Sequence, residues 1–285
     1  MPWIMGRMTS TAQFIEAHRE SDDAALAAAL VKHAGQLALR MREEGLTTDY
    51  KTSVSDVVTE ADRAAEAFVA EALAALRADD GVVGEEGAAR DSATGRTWVI
   101  DPVDGTYNFS QGSDYFCSAI ALTDAADTER VRLGAVHRPA TDTTWLATQG
   151  VLTVNGERAE GLTGASISEK ALATYLHPTY MREDAVRDVW LRAVRDAATI
   201  RMWGAGSIDL ATVAAGQIGG WLQHTVADWD WLPGKALVEA AGGVARKVDA
   251  GGVTWCVAGN AQIVQDITTR LVGHEYFRRR PRPRT

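Results

Sequence analysis

The sequence predicts a layered α/β or α+β fold in which helices enclose the sheets. Segments with helical periodicity alternate with short β-rich segments along the chain. The 285 residues are enough to bury a large core. Hydrophobic residues make up 46% and charged residues 24%, which is typical of a globular protein and excludes collagen-like, coiled-coil and wholly disordered chains.

Two amphipathic helices are predicted near the beginning of the chain. Residues 21–42 carry an apolar stripe at helical spacing that stops at Gly45. Residues 59–76 carry a second stripe, and their Thr59 and Asp62 have the spacing of a capping box.

Short segments rich in Ile, Val, Leu and aromatic residues follow, separated by turn residues, and they predict strands. Asn155-Gly156 is a strong signal for a tight turn, so residues 150–163 are predicted to form a hairpin. The other strands of this half are predicted at residues 97–101, 117–122, 133–136 and 144–147.

Helices and strands alternate in the second half of the chain. Glycines at the ends of the apolar stripes supply helix stops. The predicted strands are 171–176, 220–224 and 253–258, and the predicted helices are 184–198, 208–215, 231–241 and 261–272. We expect one domain over residues 9–277, with halves at about 9–150 and 151–277.

The charge distribution restricts the binding partners. The net charge is −9, and because residues 278–285 (RRRPRPRT) contain five Arg, the rest of the chain carries −14. Such an acidic body binds polyanions poorly, so nucleic acid is not an expected partner, and an anionic substrate would need a bridging metal. The basic Arg/Pro tail is predicted to be disordered.

The cysteines and the N-terminal sequence predict a cytoplasmic protein. Cys117 and Cys256 cannot form a disulfide framework or a CxxC zinc site. Residues 1–10 lack the apolar core of a signal peptide, and no apolar segment is long enough to form a membrane-spanning helix. No membrane partner is therefore expected.

The most informative segment is WVIDPVDGTYNF, residues 98–109. A predicted strand ends at Asp101, and Asp104 follows across a tight turn that Pro102 and Gly105 favour. Two carboxylates this close repel each other unless a cation lies between them. The alternative is an Asx-type turn with two solvated acids.

Further carboxylates strengthen the metal-site hypothesis. Glu85 and Glu86 stand between glycines after an apolar pair, although Glu pairs are usually surface residues. Asp230 precedes a predicted helix, where it is either a helix N-cap or a metal ligand. The six histidines are scattered without zinc-site spacing. Oxygen ligands favour Mg²⁺ or Mn²⁺ over zinc or copper.

Three motifs occur in the order that is typical of one family. They are Gly84-Glu85-Glu86, then Asp101-Pro102-Val103-Asp104-Gly105-Thr106 with Asn108-Phe109, then Trp229-Asp230 with Ala241-Gly242-Gly243. Residues 51–62 (KTSVSDVVTEAD) are a weaker match. On these residues the chain resembles the inositol monophosphatase family of metal-dependent, lithium-sensitive phosphatases, over roughly residues 20–272. The resemblance implies an αβαβα sandwich and a homodimer.

The resemblance also implies a metal ligand set for two or three Mg²⁺ ions, for which Mn²⁺ can substitute. Glu85 would bridge the first metal and take part in catalysis. Asp101 would bind the first and second metals, with the carbonyl of Val103 as a further ligand. Asp104 and Asp230 would hold the second metal.

Other roles implied by the resemblance concern water and substrate. Asp62 and the Thr106 hydroxyl would orient or deprotonate the attacking water. The amides of Gly105 and Thr106 would bind the phosphate, and Asp230 would lie near the substrate.

A loop and one polar residue are candidates for the substrate side of the site. Gly204 and Ala205 belong to a Gly-Ala-Gly-Ser segment that resembles the family's substrate-side loop, although a simple helix start explains it equally well. Gln223 stands where inositol-selective members often have Glu, which leaves an inositol preference open. Trp203 is expected in the core, and Trp231 either packs behind Asp230 or lines the pocket.

The implied activity is Mg²⁺-dependent hydrolysis of a small phosphorylated metabolite, with inositol monophosphate or a similar polyol phosphate favoured. The alternative is histidinol phosphate, for which an acidic pocket near Asp209 and Asp228 could suit the ammonium group. Fructose 1,6-bisphosphate and 3′-phosphoadenosine 5′-phosphate also stay open. A non-catalytic scaffold is the non-enzyme alternative, but it predicts damaged motifs, and every implied metal ligand is intact.

Overall fold

The structure is a computed structural model that describes residues 10–45, 48–50, 57–124 and 127–273. The described residues do not include the Arg/Pro tail, the outer edges of the predicted domain, or residues 51–56 of the weaker family match at 51–62. Within the described ranges, no helix is both long and apolar enough to cross a membrane.

The helices alternate with strands as predicted, and four of the eight α-helices that the structure describes begin with an N-cap side chain that accepts a backbone hydrogen bond. Asp22 accepts a hydrogen bond at the start of the second helix, and Thr59 and Asp62 form the expected capping box at the start of the third. The helices are α1 (Thr11–Ala17), α2 (Asp23–Glu44), α3 (Glu60–Leu76), α4 (Thr106–Ser110), α5 (Asp184–Val194), α6 (Gly206–Ala214), α7 (Asp228–Ala240) and α8 (Ala261–Val272).

The strands include all those predicted. Asn155 and Gly156 both have positive φ in the predicted hairpin turn, although the hairpin's second strand ends at Arg158. The strands are β1 (Thr48–Tyr50), β2 (Val57–Thr59), β3 (Gly81–Gly84), β4 (Ala89–Arg90), β5 (Arg96–Asp104), β6 (Cys117–Asp124), β7 (Asp127–Arg138), β8 (Thr143–Thr148), β9 (Val151–Val154), β10 (Glu157–Arg158), β11 (Ala171–Tyr175), β12 (Thr199–Arg201), β13 (Gly220–His224), β14 (Val244–Ala250) and β15 (Val253–Gly259).

The strands form two main sheets and a small hairpin of β1 and β2. The larger sheet has the order β10-β9-β8-β7-β6-β5-β3-β4, and the smaller has the order β12-β11-β13-β15-β14. Helices α1, α2 and α3 cover one face of the larger sheet, α6 and α7 lie between the sheets, and α5 and α8 cover the far face of the smaller sheet. The expected αβαβα sandwich is therefore confirmed.

Each pair of layers encloses an apolar core. Trp98 is buried between α1–α3 and the larger sheet, Trp221 and Trp231 stack in the central layer, and Trp255 is buried beneath α5 and α8. These large side chains supply much of the buried apolar area that stabilises the layers.

Several predicted boundaries were wrong. The helix predicted at 184–198 ends at Val194, because the chain turns back and the Ala198 amide donates to the carbonyls of Ile167 and Lys170. The helix predicted at 231–241 begins three residues earlier, at Asp228. Pro233 therefore lies beyond the first turn and deprives α7 of one intrahelical hydrogen bond.

Some elements were not predicted because their sequence patterns are weak. Helix α1 is only seven residues long, although Ser10 and Gln13 form a capping box that could have indicated it. Strands β12 and β14 lie at the two edges of the smaller sheet. Their side chains are largely exposed or half-buried, so they lack a buried apolar face.

Candidate functional site

An irregularity in β5 brings two of the predicted carboxylates to one side of the larger sheet. Asp101 pairs with Ala119 and Asp104 with Cys117, so three steps along β5 oppose two along β6. The extra residue forms a bulge. Asp101 and Asp104 therefore lie on the same face of the sheet, as residues two apart do in a regular strand. The expected tight turn between the two Asp residues was wrong, because the strand continues through Asp104 and the turn follows at Gly105.

Asp230 joins these two residues from the other half of the chain. Carboxylate oxygens of Asp101, Asp104 and Asp230 all lie within 4.8 Å of one another. Asp230 is the third residue of α7, whose N-cap is Ala227, so the N-cap interpretation of Asp230 was wrong. The first turn of a helix is a favourable place for a carboxylate, which helps α7 to hold Asp230 here.

The cluster carries strong electrostatic repulsion. Burial and then the charges of Glu85, Asp104 and Asp230 raise the pKa of Asp101. Burial, followed by the charges of Asp104 and Glu85, raises the pKa of Asp230. Without a cation, ionising the whole cluster is therefore unfavourable.

Glu85 approaches the cluster from the end of β3. It is half-buried, and its amide donates to the carbonyl of Ile100 at 3.2 Å, which ties it to the strand that carries Asp101. Glu85 is outside the group of oxygens within 4.8 Å, but its charge raises the pKa of both Asp101 and Asp230. Its carboxylate is therefore near enough to the cluster to add to the electrostatic repulsion there.

Asp104 also caps α6. One carboxylate oxygen accepts the Gly206 amide at 3.1 Å, and the other accepts the Ser207 amide. The Cys117 thiol lies 3.8 Å from Asp104 Oδ2, and burial raises the pKa of that thiol, which keeps it protonated. Asp104 thus joins the larger sheet to the central helix layer.

Thr106 and Asp62 lie beside the cluster. Thr106 Oγ1 is 2.8 Å from the carbonyl of Val103 and 3.1 Å from Asp62 Oδ1, so it can donate to either. The other oxygen of Asp62 accepts hydrogen bonds from the amide and hydroxyl of Thr59. Burial raises the pKa of Asp62 to about 6, although these hydrogen bonds oppose the shift.

The predicted substrate loop packs against the Gly105 turn. Gly105 has a φ of 89°, and a Cβ there would lie 3.0 Å from Ala205 Cβ and 3.2 Å from the Gly204 carbonyl. Asn108 donates to the carbonyls of Trp203 and Tyr115 at 2.7 and 3.1 Å. The close approach therefore requires glycine at 105 and fixes the loop beside the cluster.

A cleft of about 930 Å³ opens beside the cluster. Asp104, Gly105, Gly204, Gln223 and Asp230 line it. Ala205 does not, because its side chain is buried against Gly105.

The remaining cleft walls are mainly aromatic. Trp203 lines the cleft, so its assignment to the core alone was wrong, whereas Trp231 is fully buried behind it. Sequence reasoning did not single out Tyr175 and His177. The available signal was their position at the end of β11, where Tyr175 is the last strand residue and His177 follows two residues later. The further wall residues are Tyr107, Asn108, Pro178, Met202, Gly206 and Trp221.

The proposed acidic pocket does not form. Asp209 is buried and accepts a hydrogen bond from the Tyr115 hydroxyl at 2.7 Å, while burial raises its pKa to about 8. Asp228 is paired with Lys247, 3.5 Å away. Neither residue lines the cleft, so neither supplies a charge for a substrate ammonium group.

The cluster fits a divalent cation. Asp101 Oδ2 is buried and has no hydrogen-bond partner among the described residues. Within the described part of the chain, the cleft is lined by neither Lys nor Arg. Clustered carboxylate oxygens with an unused buried acceptor are the donor set that Mg²⁺ or Mn²⁺ prefers.

The fold and the site together define a class of protein: a five-layered α/β sandwich with carboxylates clustered between the last residues of β5 and the first turn of α7. Comparison with known proteins identifies the family. The chain matches the inositol monophosphatase family over residues 20–272, and it belongs to that family.

The chain is similar to relatives whose names indicate different functions. The chain is 34% identical to an inositol-1-monophosphatase of Rhizobium meliloti (strain 1021), over 70% of this chain and 74% of the relative. It is 31% identical to a histidinol-phosphatase of Mycobacterium tuberculosis, over 88% and 98%, respectively. It is 30% identical to the Nus factor SuhB of Escherichia coli (strain K12), over 72% and 77%.

A solved structure shares the fold. The extragenic suppressor protein suhB from Bartonella henselae superposes with a TM-score of 0.77 and 25% identity, over 87% of this chain and 97% of that chain.

Proposed function

We propose that this protein is a Mg²⁺-dependent phosphatase that hydrolyses small phosphomonoesters. The observation that carries the proposal is the cluster of Asp101, Asp104 and Asp230, with a buried unpartnered oxygen, at the edge of an open cleft. Membership of the inositol monophosphatase family supports the phosphatase assignment. The intact carboxylates argue against a scaffold without activity.

The proposed metal ligands are the carboxylates of Glu85, Asp101, Asp104 and Asp230, with the carbonyl of Val103. The last of these accepts a hydrogen bond from Thr106 and keeps a second lone pair. When bound, Mg²⁺ supplies the positive charge that offsets a phosphate dianion and lowers the pKa of water. Two or three ions would share these ligands, and Mn²⁺ could substitute.

The chain's own groups position the reactants. Thr106 Oγ1 holds a proton between Val103 and Asp62 and presents its lone pairs to a water molecule that enters the cleft. A raised pKa prepares Asp62 to take up a proton passed on through Thr106. We assign phosphate binding to the amides of Gly105 and Thr106, next to Asp104.

The substrate class follows from the cleft beyond the carboxylates. We propose that the leaving group lies between Gly204 and Gln223, beside Asp230, since all three line the cleft. Gln223 can donate and accept hydrogen bonds to hydroxyl groups, as a polyol such as inositol requires.

A second candidate substrate is histidinol phosphate. The rings of Tyr175, His177 and Trp203 in the cleft wall favour a leaving group with a flat ring, which stacks on aromatic faces. The similarity to a histidinol-phosphatase over 98% of that relative's length supports this candidate.

We expect a purified sample to release phosphate only in the presence of Mg²⁺ or Mn²⁺. Inositol 1-phosphate, histidinol phosphate, fructose 1,6-bisphosphate and 3′-phosphoadenosine 5′-phosphate form the test panel. Mg²⁺ at a hundredfold excess over Kd should also stabilise the fold by about 2.7 kcal/mol, which a melting curve with and without EDTA measures. A protein that binds Mg²⁺ but hydrolyses none of the four esters would contradict the proposal.

Gln223→Glu is expected to change the order of substrate preference more than turnover of the best substrate. The added carboxylate accepts hydrogen bonds from polyol hydroxyls and attracts the histidinol ammonium group, while it repels a second phosphate. Ratios of kcat/KM across the panel measure the effect. An equal loss on all four esters would show that Gln223 has a structural role.

The cellular setting is also a proposal. We infer a cytoplasmic homodimer from the family resemblance and the cysteine content. Nucleic acid is not an expected partner of the acidic body, although one relative carries the name Nus factor SuhB. Light scattering tests whether the protein is a dimer, and a titration with RNA tests the expectation that it does not bind nucleic acid.

A further inference from the structure

A buried carboxylate outside the proposed ligand set lies behind Glu85. Glu66 is in the second turn of α3 and is 4% exposed. Its Oε2 accepts the Glu86 amide at 2.8 Å, and its Oε1 accepts the Ala88 amide at 2.7 Å. Glu66 thus uses both oxygens to bind the turn between β3 and β4, which is the turn that carries Glu85.

The backbone of this turn leaves room for that carboxylate. A Cβ at Gly84 would lie 2.5 Å from Glu66 Cδ, which is closer than atoms can pack. The Gly84 amide donates to the Ala88 carbonyl at 2.7 Å and closes the turn. A side chain at 84 would therefore displace the Glu66 carboxylate, which in the native protein holds the turn against α3.

Glu85 is restrained on both sides by this arrangement. Its own amide is bound to the Ile100 carbonyl on β5, and the next amide along the chain is bound to Glu66. Hydrogen bonds to an ionised carboxylate are shorter and stronger than those between neutral groups. The backbone at Glu85 is therefore held in place from both sides, which limits the positions that its side chain can reach.

The same helix face also carries Asp62. Residues four apart lie on one face of a helix, so α3 presents Asp62 to Thr106 and Glu66 to the Glu85 turn. One rigid element thus sets the position of two segments of the site.

We propose that Glu66 is a positioning residue that raises the affinity of the site for divalent cations by fixing the Glu85 turn. Groups that orient metal ligands typically contribute 10- to 100-fold to metal affinity. The inference rests on the proposed metal-dependent function, since it assigns Glu66 a role toward the same ions.

The test replaces Glu66 with Gln, which keeps the shape but places an NH₂ group against one of the two amide donors. We expect Mn²⁺ binding, measured by calorimetry, to weaken about tenfold or more. Turnover at saturating Mg²⁺ should stay within about threefold of wild type, so excess metal should rescue the variant. The matched control is Asp80→Asn, which removes another buried carboxylate at the opposite end of β3.

Equal Mn²⁺ affinity in Glu66→Gln and wild type would overturn the inference, as would a loss of turnover that excess metal does not rescue. If Glu66→Gln does not fold, Gly84→Ala should weaken Mn²⁺ binding. Gly81→Ala is the matched control, because it lies in the same strand as Gly84 and its Cβ would lie 2.7 Å from Thr97 Oγ1 of β5. This control should not weaken Mn²⁺ binding, and equal effects of the two glycine substitutions would also overturn the inference. Wild-type protein that binds Mn²⁺ but releases no phosphate contradicts the proposed function alone.

Discussion

Asp101→Asn is expected to lower phosphatase activity by more than about 100-fold while leaving the fold intact. Asp101 is the buried carboxylate at the centre of the cluster, and its Oδ2 has no hydrogen-bond partner among the described residues. The substitution removes one negative charge from the group that would hold the metal. Cation binding weakens directly as a result.

The fold should tolerate this change because the local hydrogen bond can be kept. Asp101 Oδ1 accepts the Val103 amide at 3.1 Å, and an Asn carbonyl oxygen accepts it equally well. Burial and then the neighbouring carboxylates raise the pKa of Asp101, so its ionised form destabilises the metal-free fold at neutral pH. We therefore expect the metal-free variant to melt no lower than wild type.

Two measurements test this expectation together. Melting curves with EDTA should place the variant at or above the wild-type Tm, and added Mg²⁺ should stabilise only the wild type. The Mg²⁺ dependence of phosphate release gives the second comparison. Near wild-type turnover at saturating Mg²⁺ would remove Asp101 from the ligand set.

Thr106→Ala and Asp62→Asn are each expected to lower turnover by about 100-fold or more, with little change in Mg²⁺ affinity. Thr106 Oγ1 lies 3.1 Å from Asp62 Oδ1, and neither belongs to the three-carboxylate cluster. Both changes would interrupt the same proposed path for the proton. The double variant should therefore be scarcely slower than either single variant.

Asp62 also has a structural role, and the two roles use different oxygens. Oδ2 accepts from the amide and hydroxyl of Thr59 as the capping box of α3, whereas Oδ1 faces Thr106. Thr59→Ala is the matched control, because it removes the hydroxyl from the cap and leaves the Thr106 contact. It should cost about 1 kcal/mol of stability and little turnover.

Steady-state kinetics and melting temperatures of these variants separate the alternatives. Losses in turnover that add in the double variant would show that Thr106 and Asp62 act independently. A drop in Tm without a drop in turnover in Asp62→Asn would leave Asp62 as a helix cap alone.

Local signals in the sequence predicted the framework of the site. The alternation of helices and strands predicted the layered architecture, and the spacing of Thr59 and Asp62 predicted the cap that the structure contains. The order of the motifs indicated Asp101, Asp104 and Asp230 as candidate ligands, and the structure places their carboxylate oxygens close together. These features depend on residues near one another in the chain or on a recognised pattern.

Features that depend on pairing between distant residues were not predicted. The bulge in β5 is a mismatch between two strands, so no pattern within residues 97–104 reveals it. The cleft wall formed by Tyr175 and Trp203 depends on how separate secondary-structure elements pack together. The early start of α7 was missed for a different, local reason. Its N-cap is Ala227, which has no side chain that could signal a helix start.

The position of Asp230 has a consequence for the order in which the protein acquires its site. Asp101 and Asp104 leave the ribosome with the larger sheet, whereas Asp230 emerges only after most of the smaller sheet has been synthesised. An N-terminal fragment that ends before α7 would therefore carry two crowded acids and an incomplete set of ligands. At the proposed metal site, cation binding would therefore depend on the packing of the two sheets across the central helices, and a loosely packed chain would bind the ion weakly.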